Sequence, residues 1–600
     1  MISRMKRLLG GIALLVMAAG LAACMAPKQQ KAPFLWDNAT VYFLLTDRFS
    51  NGNPDNDAAY ARGLDSNGQP LPVSSKASAA EAAEAGSFHG GDFAGITEKL
   101  REGYFDKLGV NALWITPPFE QIHGYRSGDG FPFYAFHGYW ALDFTQPDAS
   151  YGTEEEFRTM VDEAHKRGIR IVLDVVLNHP GYATMGDAAE LGFGTYADGW
   201  EDYYYYSDSS TLSESAESSY LLRDEESWRS WWGADWIRTA NNLPGYQPGG
   251  PATDEKLLCL AGLPDFRTES TAEVALPPLL AAKWEREGRL AQEQAELSAF
   301  FEENSLAPTV LNYQIKWITD WVRDYGIDGF RCDTAKHIEL SAWELLKQNA
   351  DSALTAWRGE HPGQSPGDEP FWMVGEVWDH GVKKDSYYTE SGFDALINFS
   401  FSKNLSAGNP LAAVYELMAE RLHGEDPFQV LSYLSSHDVS LYDREDLYAG
   451  GNALLMAPGA VQVFYGDESA RPRAYASSPY SDLRLRGDMN WDAMDEELLA
   501  HWRILGSFRA AHPSVGAGTH TTLSTDPLVF SRVYRTAGQE DAVIIAFVEG
   551  EEDFAIDVSS VFTDGSSVRN AYDRSIAVVR EGNVRFSGNG AGIILLEAAR

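Results

Sequence analysis

The stretch "YQIKWITDWVRDYGIDGFRCDTAKHIE" runs from Tyr313 to Glu339. Its first half places apolar residues at helical spacing, and Gly326 stands where such a helix would stop, because glycine enters the left-handed conformation of a helix C-terminus at little cost. A short apolar run follows and ends in Arg331, Asp333, Lys336 and His337. A strand that is apolar throughout is covered on both faces, as in parallel sheets flanked by helices. Charge at its C-terminal end marks where side chains leave the core.

The same order of helix, glycine and apolar strand recurs in "REGYFDKLGVNALWITPPFE" (101–120) through Gly109 and in "FRTMVDEAHKRGIRIVLDVVLNH" (157–179) through Gly168. "ATVYFLLTDRF" (39–49) reads as an opening strand. "FWMVGEVW" (371–378), "DALINFSF" (394–401), "FQVLSYLSSHD" (428–438) and "AVQVFYGDE" (460–468) bring the count to eight. Eight such units predict an α/β fold, a (β/α)8 TIM barrel whose working groups gather where the strands end. The gap between strands three and four is too long for a loop and predicts a long inserted domain after strand 3. In it, "EDYYYYSDSS" (201–210) reads as subdomain core or a surface hairpin, and "LPPLLAAKWEREGRLAQEQAELSAFFEEN" (276–304) as one long amphipathic helix. After residue 512, short alternating runs such as "DPLVFSRVYR" and "DAVIIAFVE" predict a C-terminal antiparallel β-sandwich. The expected boundaries are a leader at 1–23, barrel at 24–179 and 307–512, inserted domain at 180–306, and β-sandwich at 513–600.

Over 600 residues the formal net charge is −39, which argues against a nucleic-acid partner, whose phosphates require basic surface. The leader has a basic start (Arg4, Lys6, Arg7), a short apolar run and then "LAAC" (21–24). It is too short to span a membrane and reads as a secretory signal. Its end resembles a bacterial lipobox. That resemblance implies cleavage before Cys24, lipidation of its thiol and an exported lipoprotein. With Met25 rather than aspartate next, anchoring in the outer membrane is expected, on the periplasmic face or the cell surface. The alternative is an ordinary signal peptide with an incidental cysteine. Of the other two cysteines, Cys332 reads as a core residue, and whether it pairs with Cys259 is left open.

Three strand ends carry an acid in an apolar frame: Asp333, Glu376 and Asp438. Arg331, two residues before Asp333, shares its side of the strand and is expected to lower the Asp333 pKa. Glu376, flanked by Val374, Val377 and Trp378, is expected to be partly desolvated and raised, as suits a general acid. One ionised and one protonated carboxyl group make up the machinery of retaining glycoside hydrolysis.

"DVVLNH" (174–179), "GFRCDTAKH" (329–337), "VGEVW" (374–378) and "SSHD" (435–438) resemble, in order, the signature segments of the α-amylase superfamily of glycoside hydrolases. "LPDF" (263–266) and the strands at 109–117 and 459–468 add to a likeness that covers nearly the whole mature chain. The resemblance implies Asp333 as nucleophile, Glu376 as general acid/base and Asp438 as the holder of sugar hydroxyls. It implies that Arg331 orients Asp333 and that His179 and His437 bind hydroxyls at the cleaved sugar. Tyr139 would stack beneath that sugar with His137 nearby, and Lys336 and His337 would meet the leaving group. Stacking on sugar rings is a second reading of the tyrosine run. Ser436 stands where the family often has asparagine, so a chloride activator is not expected.

Calcium is the expected metal. "SNGNPDND" (50–57) and "HGGDFAG" (89–95) concentrate oxygen ligands, as a hard cation requires. They resemble an N-terminal calcium loop of the superfamily, with Asn51, Asn53, Asn56, Asp57, Gly90 and Asp92 as ligands. The same residues also fit an Asx-rich turn without metal. The resemblance implies a second site from Asn178, Asp265 and the carbonyl of His337. The first reading of function is an endo-acting α-amylase, resembling periplasmic α-amylases, on an α-glucan oligo- or polysaccharide, acting as a monomer. A glucanotransferase, an exo-acting glucosidase and a glucan-binding lipoprotein with an inactive barrel are the alternatives. The single C-terminal domain is expected to favour hydrolysis over transfer, and the three retained acids to disfavour the inactive barrel.

Overall fold

The computed structural model describes residues 33–599, apart from 71–76, 128–129, 208–210, 223, 241–242, 476–479 and 539. Cys24 and the leader expected around it lie outside the described residues.

Eight strands close into a parallel barrel: β1 (Thr40–Leu44), β2 (Ala112–Ile115), β3 (Arg170–Val175), β4 (Gly329–Cys332), β5 (Trp372–Gly375), β6 (Ala395–Asn398), β7 (Gln429–Tyr433) and β8 (Ala460–Phe464). Each pairs with its neighbours in sequence, and β1 pairs with β8. Every residue of β1 to β5 is buried, which accounts for their unbroken apolar character. The helix before β4, Val310–Tyr325, is capped by the Thr309 side chain, which accepts the amide of Asn312. Gly326 ends it at φ +75°. A Cβ there would lie 2.4 Å from the Trp357 ring, so both backbone conformation and space require glycine.

The region between β3 and β4 buries Trp228, Trp232, Trp236 and Phe266 in a core continuous with that of the barrel, Trp236 stacking on Trp317 at 5.8 Å. A three-stranded sheet of Asp265–Phe266, Ile237–Thr239 and Gln247–Pro248 runs through it. The tyrosine run forms a helix, Trp200–Tyr206, in which Tyr204 stacks on Tyr125 at 4.6 Å. The expected long helix is two, Pro278–Glu287 and Leu290–Asn304. Gly288 breaks it at φ +76°, and the chain turns so that Lys283 and Arg289 both reach the buried Asp143. The polar partner thus overrides the amphipathic period.

Eight further strands follow the barrel: β9 (Thr519–Thr525), β10 (Leu528–Arg535), β11 (Glu540–Phe547), β12 (Asp553–Asp557), β13 (Ser567–Asn570), β14 (Ile576–Val578), β15 (Asn583–Ser587) and β16 (Ile593–Ala598). Six form an antiparallel sheet in the order β9-β10-β11-β16-β13-β14, and β12 pairs with β15. Val529, Ile544, Ile556, Val568, Phe586 and Ile594 fill the core of this domain. Cys259 and Cys332 are both free thiols, Cys332 fully buried. No helix among the described residues is long and apolar enough to cross a membrane.

Candidate active site

Register places the charge. Asp174 on β3, Arg331 on β4 and Val374 on β5 are paired across the sheet, so the acid and the guanidinium stand at one level of the barrel. Arg331 is wholly buried. Its Nη1 donates to both Asp174 oxygens at 2.9 and 3.1 Å and to Asp333 Oδ1 at 2.8 Å. Its Nη2 lies 3.0 Å from Glu376 Oε1. One guanidinium therefore serves three carboxylates. Asp174 also accepts from Trp114 Nε1 at 3.0 Å and from the Tyr139 hydroxyl at 2.8 Å.

The backbone after β4 completes the arrangement. Thr334 has φ +48°, which costs a β-branched residue on the order of 1–2 kcal/mol. The turn it makes lets its amide donate to Glu376 Oε2 at 3.1 Å. Glu376 is fixed in turn by backbone bonds, its amide to Cys332 and its carbonyl from Ala335, both 2.9 Å.

Burial raises the Asp333 pKa, and Arg331 only partly opposes it. The guanidinium does favour the Asp333 carboxylate, as expected, but burial outweighs it and the net shift is upward. Burial also raises Glu376, and it pushes Asp174 up to about 7. Trp378 is not the source of the Glu376 desolvation, since it is half exposed. Asp438 differs. Burial disfavours its charge, but His437 and Arg486 outweigh burial and hold its pKa below the usual range. Arg486 Nη2 donates to Asp438 Oδ1 at 2.5 Å, and His437 Nε2 lies 3.0 Å from Oδ2.

The other sequence candidates divide into two groups. His137, Tyr139, His179 and His437 surround the acids. His437 Nε2 is 3.0 Å from the Tyr139 hydroxyl, His179 Nε2 is 3.9 Å from Asp333 Oδ2, and His137 Nδ1 accepts the Tyr139 amide at 3.1 Å. Burial keeps His137 and His179 neutral, the latter at about 4. Lys336 and His337 instead turn to the inserted region. Lys336 Nζ donates to Glu255 Oε1 at 2.8 Å, and His337 Nδ1 lies 2.7 Å from the Glu255 carbonyl. Trp114, Asp174, Glu255 and Arg486 were missed from sequence. Asp174 left a signal, a lone acid inside an apolar strand; Arg486 left none, since its segment has no periodicity.

Among the described residues, no group of three or more His, Cys, Asp or Glu is placed to hold a metal. The two calcium candidates are instead rich in amides and carbonyls, and their fit to a cation turns on those atoms. In the first, Asn51 Nδ2 donates to Asp57 Oδ1 at 2.8 Å, and Asn56 Nδ2 lies 3.5 Å from Asp92 Oδ2. Asp92 also accepts the amides of Gly52 and Asn53 at 2.9 and 2.7 Å, so the two loops meet. A Cβ on Gly90 would lie 2.4 Å from Asn51 and from Asp57, and Asn56 Oδ1 is buried without a partner. Asn53, by contrast, uses its side chain locally, accepting the Asp55 amide and donating to Glu156. In the second, Asn178 Oδ1 and Asp265 Oδ1 are buried and unpartnered, and the Phe266 amide donates to the Asn178 carbonyl at 2.9 Å. Burial pushes Asp265 up to about 7 despite its bond to Arg238. Orphaned oxygens in both places fit a hard cation.

Residues 43–235 match the family described as the alpha amylase catalytic domain. The periplasmic alpha-amylase of Escherichia coli (strain K12) is 43% identical over 521 residues, covering 83% of this chain and 70% of that one. Among solved structures, an Anoxybacillus alpha-amylase superposes with a TM-score of 0.62 at 22% identity, covering 95% of this chain and 100% of that one. A cyclomaltodextrin glucanotransferase, CldA, described as having a three-domain ABC distribution, superposes at 0.59 and 19% identity, covering 94% and 99%. That last likeness concerns fold alone. The 43% identity over most of both chains decides the family: the chain belongs to the α-amylase family of glycoside hydrolases.

Proposed function

We propose that the protein is an endo-acting α-amylase that hydrolyses α-1,4-glucosidic bonds of starch, glycogen or maltodextrin with retention. The observation that carries this reading is the sharing of Arg331 among Asp333, Glu376 and Asp174 at the mouth of the barrel. One cation cannot keep all three ionised, so one acid holds a proton while another is a carboxylate. Glu376 gives its proton to the glycosidic oxygen as that bond breaks, and Asp333 bonds to the sugar's anomeric carbon. Water then attacks the glycosyl-aspartate and yields its proton to Glu376, which releases Asp333. Asp438, His179 and His437 hold the sugar's hydroxyls. Tyr139 supports its face beside His137, and Lys336 and His337 border the departing chain.

Asn51, Asn53, Asn56, Asp57, Gly90 and Asp92 would hold one calcium ion, and Asn178, Asp265 and the His337 carbonyl a second. Such an ion supplies fixed positive charge that ties loops together. Chelation is expected to lower the melting temperature, and added calcium to restore it. The E. coli relative's description as periplasmic supports export of this chain. Cys24 is the proposed lipid attachment, with anchoring in the outer membrane and the catalytic part acting as a monomer.

Cyclomaltodextrin glucanotransferases 34% identical over 147 residues keep a second reading open, in which a sugar hydroxyl replaces water. Products from end-labelled maltoheptaose, with their anomeric configuration, decide between them. Shorter linear chains with new α ends support hydrolysis. Cyclic or lengthened products overturn it in favour of transfer, and β ends overturn retention.

A further inference from the structure

We propose that Arg486 is a positioning residue that orients Asp438, and that two other buried arginines lock Arg486 in place to do so. The inference rests on the reading of Asp438 as a holder of sugar hydroxyls.

The mouth of the barrel divides its cations unequally. Arg331 is shared among Asp174, Asp333 and Glu376, whereas Arg486 makes its short contact with Asp438 alone and has only Asp482, 3.7 Å from Nη1, as a second acid. The side chain of Arg486 grips two adjacent residues: Nη2 donates to Asp438 Oδ1 at 2.5 Å and Nε to the His437 carbonyl at 3.2 Å. One donor holds the carboxylate and the other the backbone carbonyl just before it, so a single planar guanidinium ties the Asp438 side chain to its own loop.

Its own backbone is held with equal care. Three consecutive carbonyls of its segment accept from buried arginines. Arg471 Nη2 donates to Leu485, Arg48 Nε to Arg486 and Arg471 Nη1 to Gly487, at 3.1, 3.1 and 3.2 Å. The Tyr465 hydroxyl adds a 2.6 Å bond to Gly487, and the Met489 amide donates to the Arg48 carbonyl at 2.8 Å. Arg48 and Arg471 are themselves anchored, Arg48 by Asp47 and the carbonyls of Ala85 and Ser87, Arg471 by the Tyr465 carbonyl. Arg48 and Arg471 are 2% and 1% exposed. Burying two guanidiniums to hold an irregular segment is costly, and such rigid support suits a group whose placement matters.

The groups facing Asp438 are His437, Arg486 and Arg331, which favour its charge; His137, Tyr139 and Tyr433, which feel it; and the acids Glu376 and Asp333, whose protonation its negative charge favours in return. Removing Arg486 leaves the carboxylate with less cationic support. Its pKa rises, and the acid side of the activity profile moves to higher pH.

The test uses the full chain with maltoheptaose. Arg486→Met is expected to lower kcat about 100-fold, in line with a misplaced group of about 1 Å. The acid limb of kcat/KM is expected to move upward, and Arg486→Lys to recover part of both. Arg471→Met should show the same pattern more weakly. In an Asp438→Asn background, Arg486→Met should have no further effect on kcat. An arginine that only binds sugar would raise KM, keep kcat and leave the acid limb in place, and that result overturns the proposal; so does full additivity in the double variant. If Arg486→Met fails to fold, Arg486→Lys carries the test by the same limb shift. Near-normal activity of Asp438→Asn alone would instead sink the reading of Asp438. An impaired Asp438→Asn beside a normal Arg486→Met sinks only the positioning role.

Discussion

Two buried charge clusters in this molecule use the same residue types to opposite ends. Where the inserted helices meet the barrel, the fully buried Asp143 and Glu120 face Lys283, Arg289 and His123, which also pair with the more exposed Glu287, Glu293 and Glu190. Lys283 Nζ lies 2.7 Å from Glu120 and 3.1 Å from Asp143, and His123 Nε2 lies 2.8 Å from Glu120. Burial disfavours the Asp143 carboxylate, yet Lys283 and Arg289 outweigh it and hold the group well below the usual range. At the mouth of the barrel, Asp174, Asp333 and Glu376 are as deeply buried but have one guanidinium among them, and all three are raised. Burial is common to both clusters; the ratio of cations to acids differs. A matched cluster fixes structure, and a mismatched one keeps protons available for chemistry.

The largest effects should separate the clusters by what they break. Asp333→Asn and Glu376→Gln are expected to lower kcat about 1,000-fold or more, with melting temperatures no lower than wild type, because each removes a competitor for Arg331. Steady-state kinetics beside calorimetry checks both halves, and a strong loss of stability would place the mouth with the structural cluster. Lys283→Met should do the reverse. Removing one partner of a buried ionic network costs about 3–5 kcal/mol, while kcat per folded molecule stays near wild type. Equal melting temperatures for that variant and wild type would contradict the comparison.

Smaller effects appear in the pH dependence of stability. The Asp174 pKa, about 7 when folded, exceeds its unfolded value, so the native state binds the extra proton between about 4 and 7 and stability falls as pH rises through that window. His123 is raised to about 9; burial opposes its charge, but Glu120 and Glu190 overcome it. Its contribution is complete below about 6.5 and is lost as pH rises through about 9. Melting curves should therefore flatten in the lower window for Asp174→Asn and in the upper for His123→Gln. Interchanged windows would show the cluster assignments to be wrong.

Much of this was legible in the chain. The eight strands were marked by apolar runs, three of them following helix-ending glycines, and the acids by their place at strand ends. What escaped depends on contacts distant in sequence. Arg486 lies 48 positions from Asp438 in a segment without pattern. The break at Gly288 answers to Asp143, over a hundred residues earlier. The direction of the Asp333 shift could not be read from Arg331 alone, because the burial that outweighs that cation is set by how the barrel packs.

The most direct test is to trap the glycosyl-enzyme. The protein would be treated with an activated fluorinated α-glucosyl fluoride whose slow turnover lets the covalent form accumulate, digested at low pH and mapped by mass spectrometry. One sugar on the peptide containing Asp333, absent in Asp333→Asn, is the expected result. An adduct on Glu376, or hydrolysis of the reagent to the inverted anomer with no adduct, would contradict the assignment of the raised acids at the mouth of the barrel.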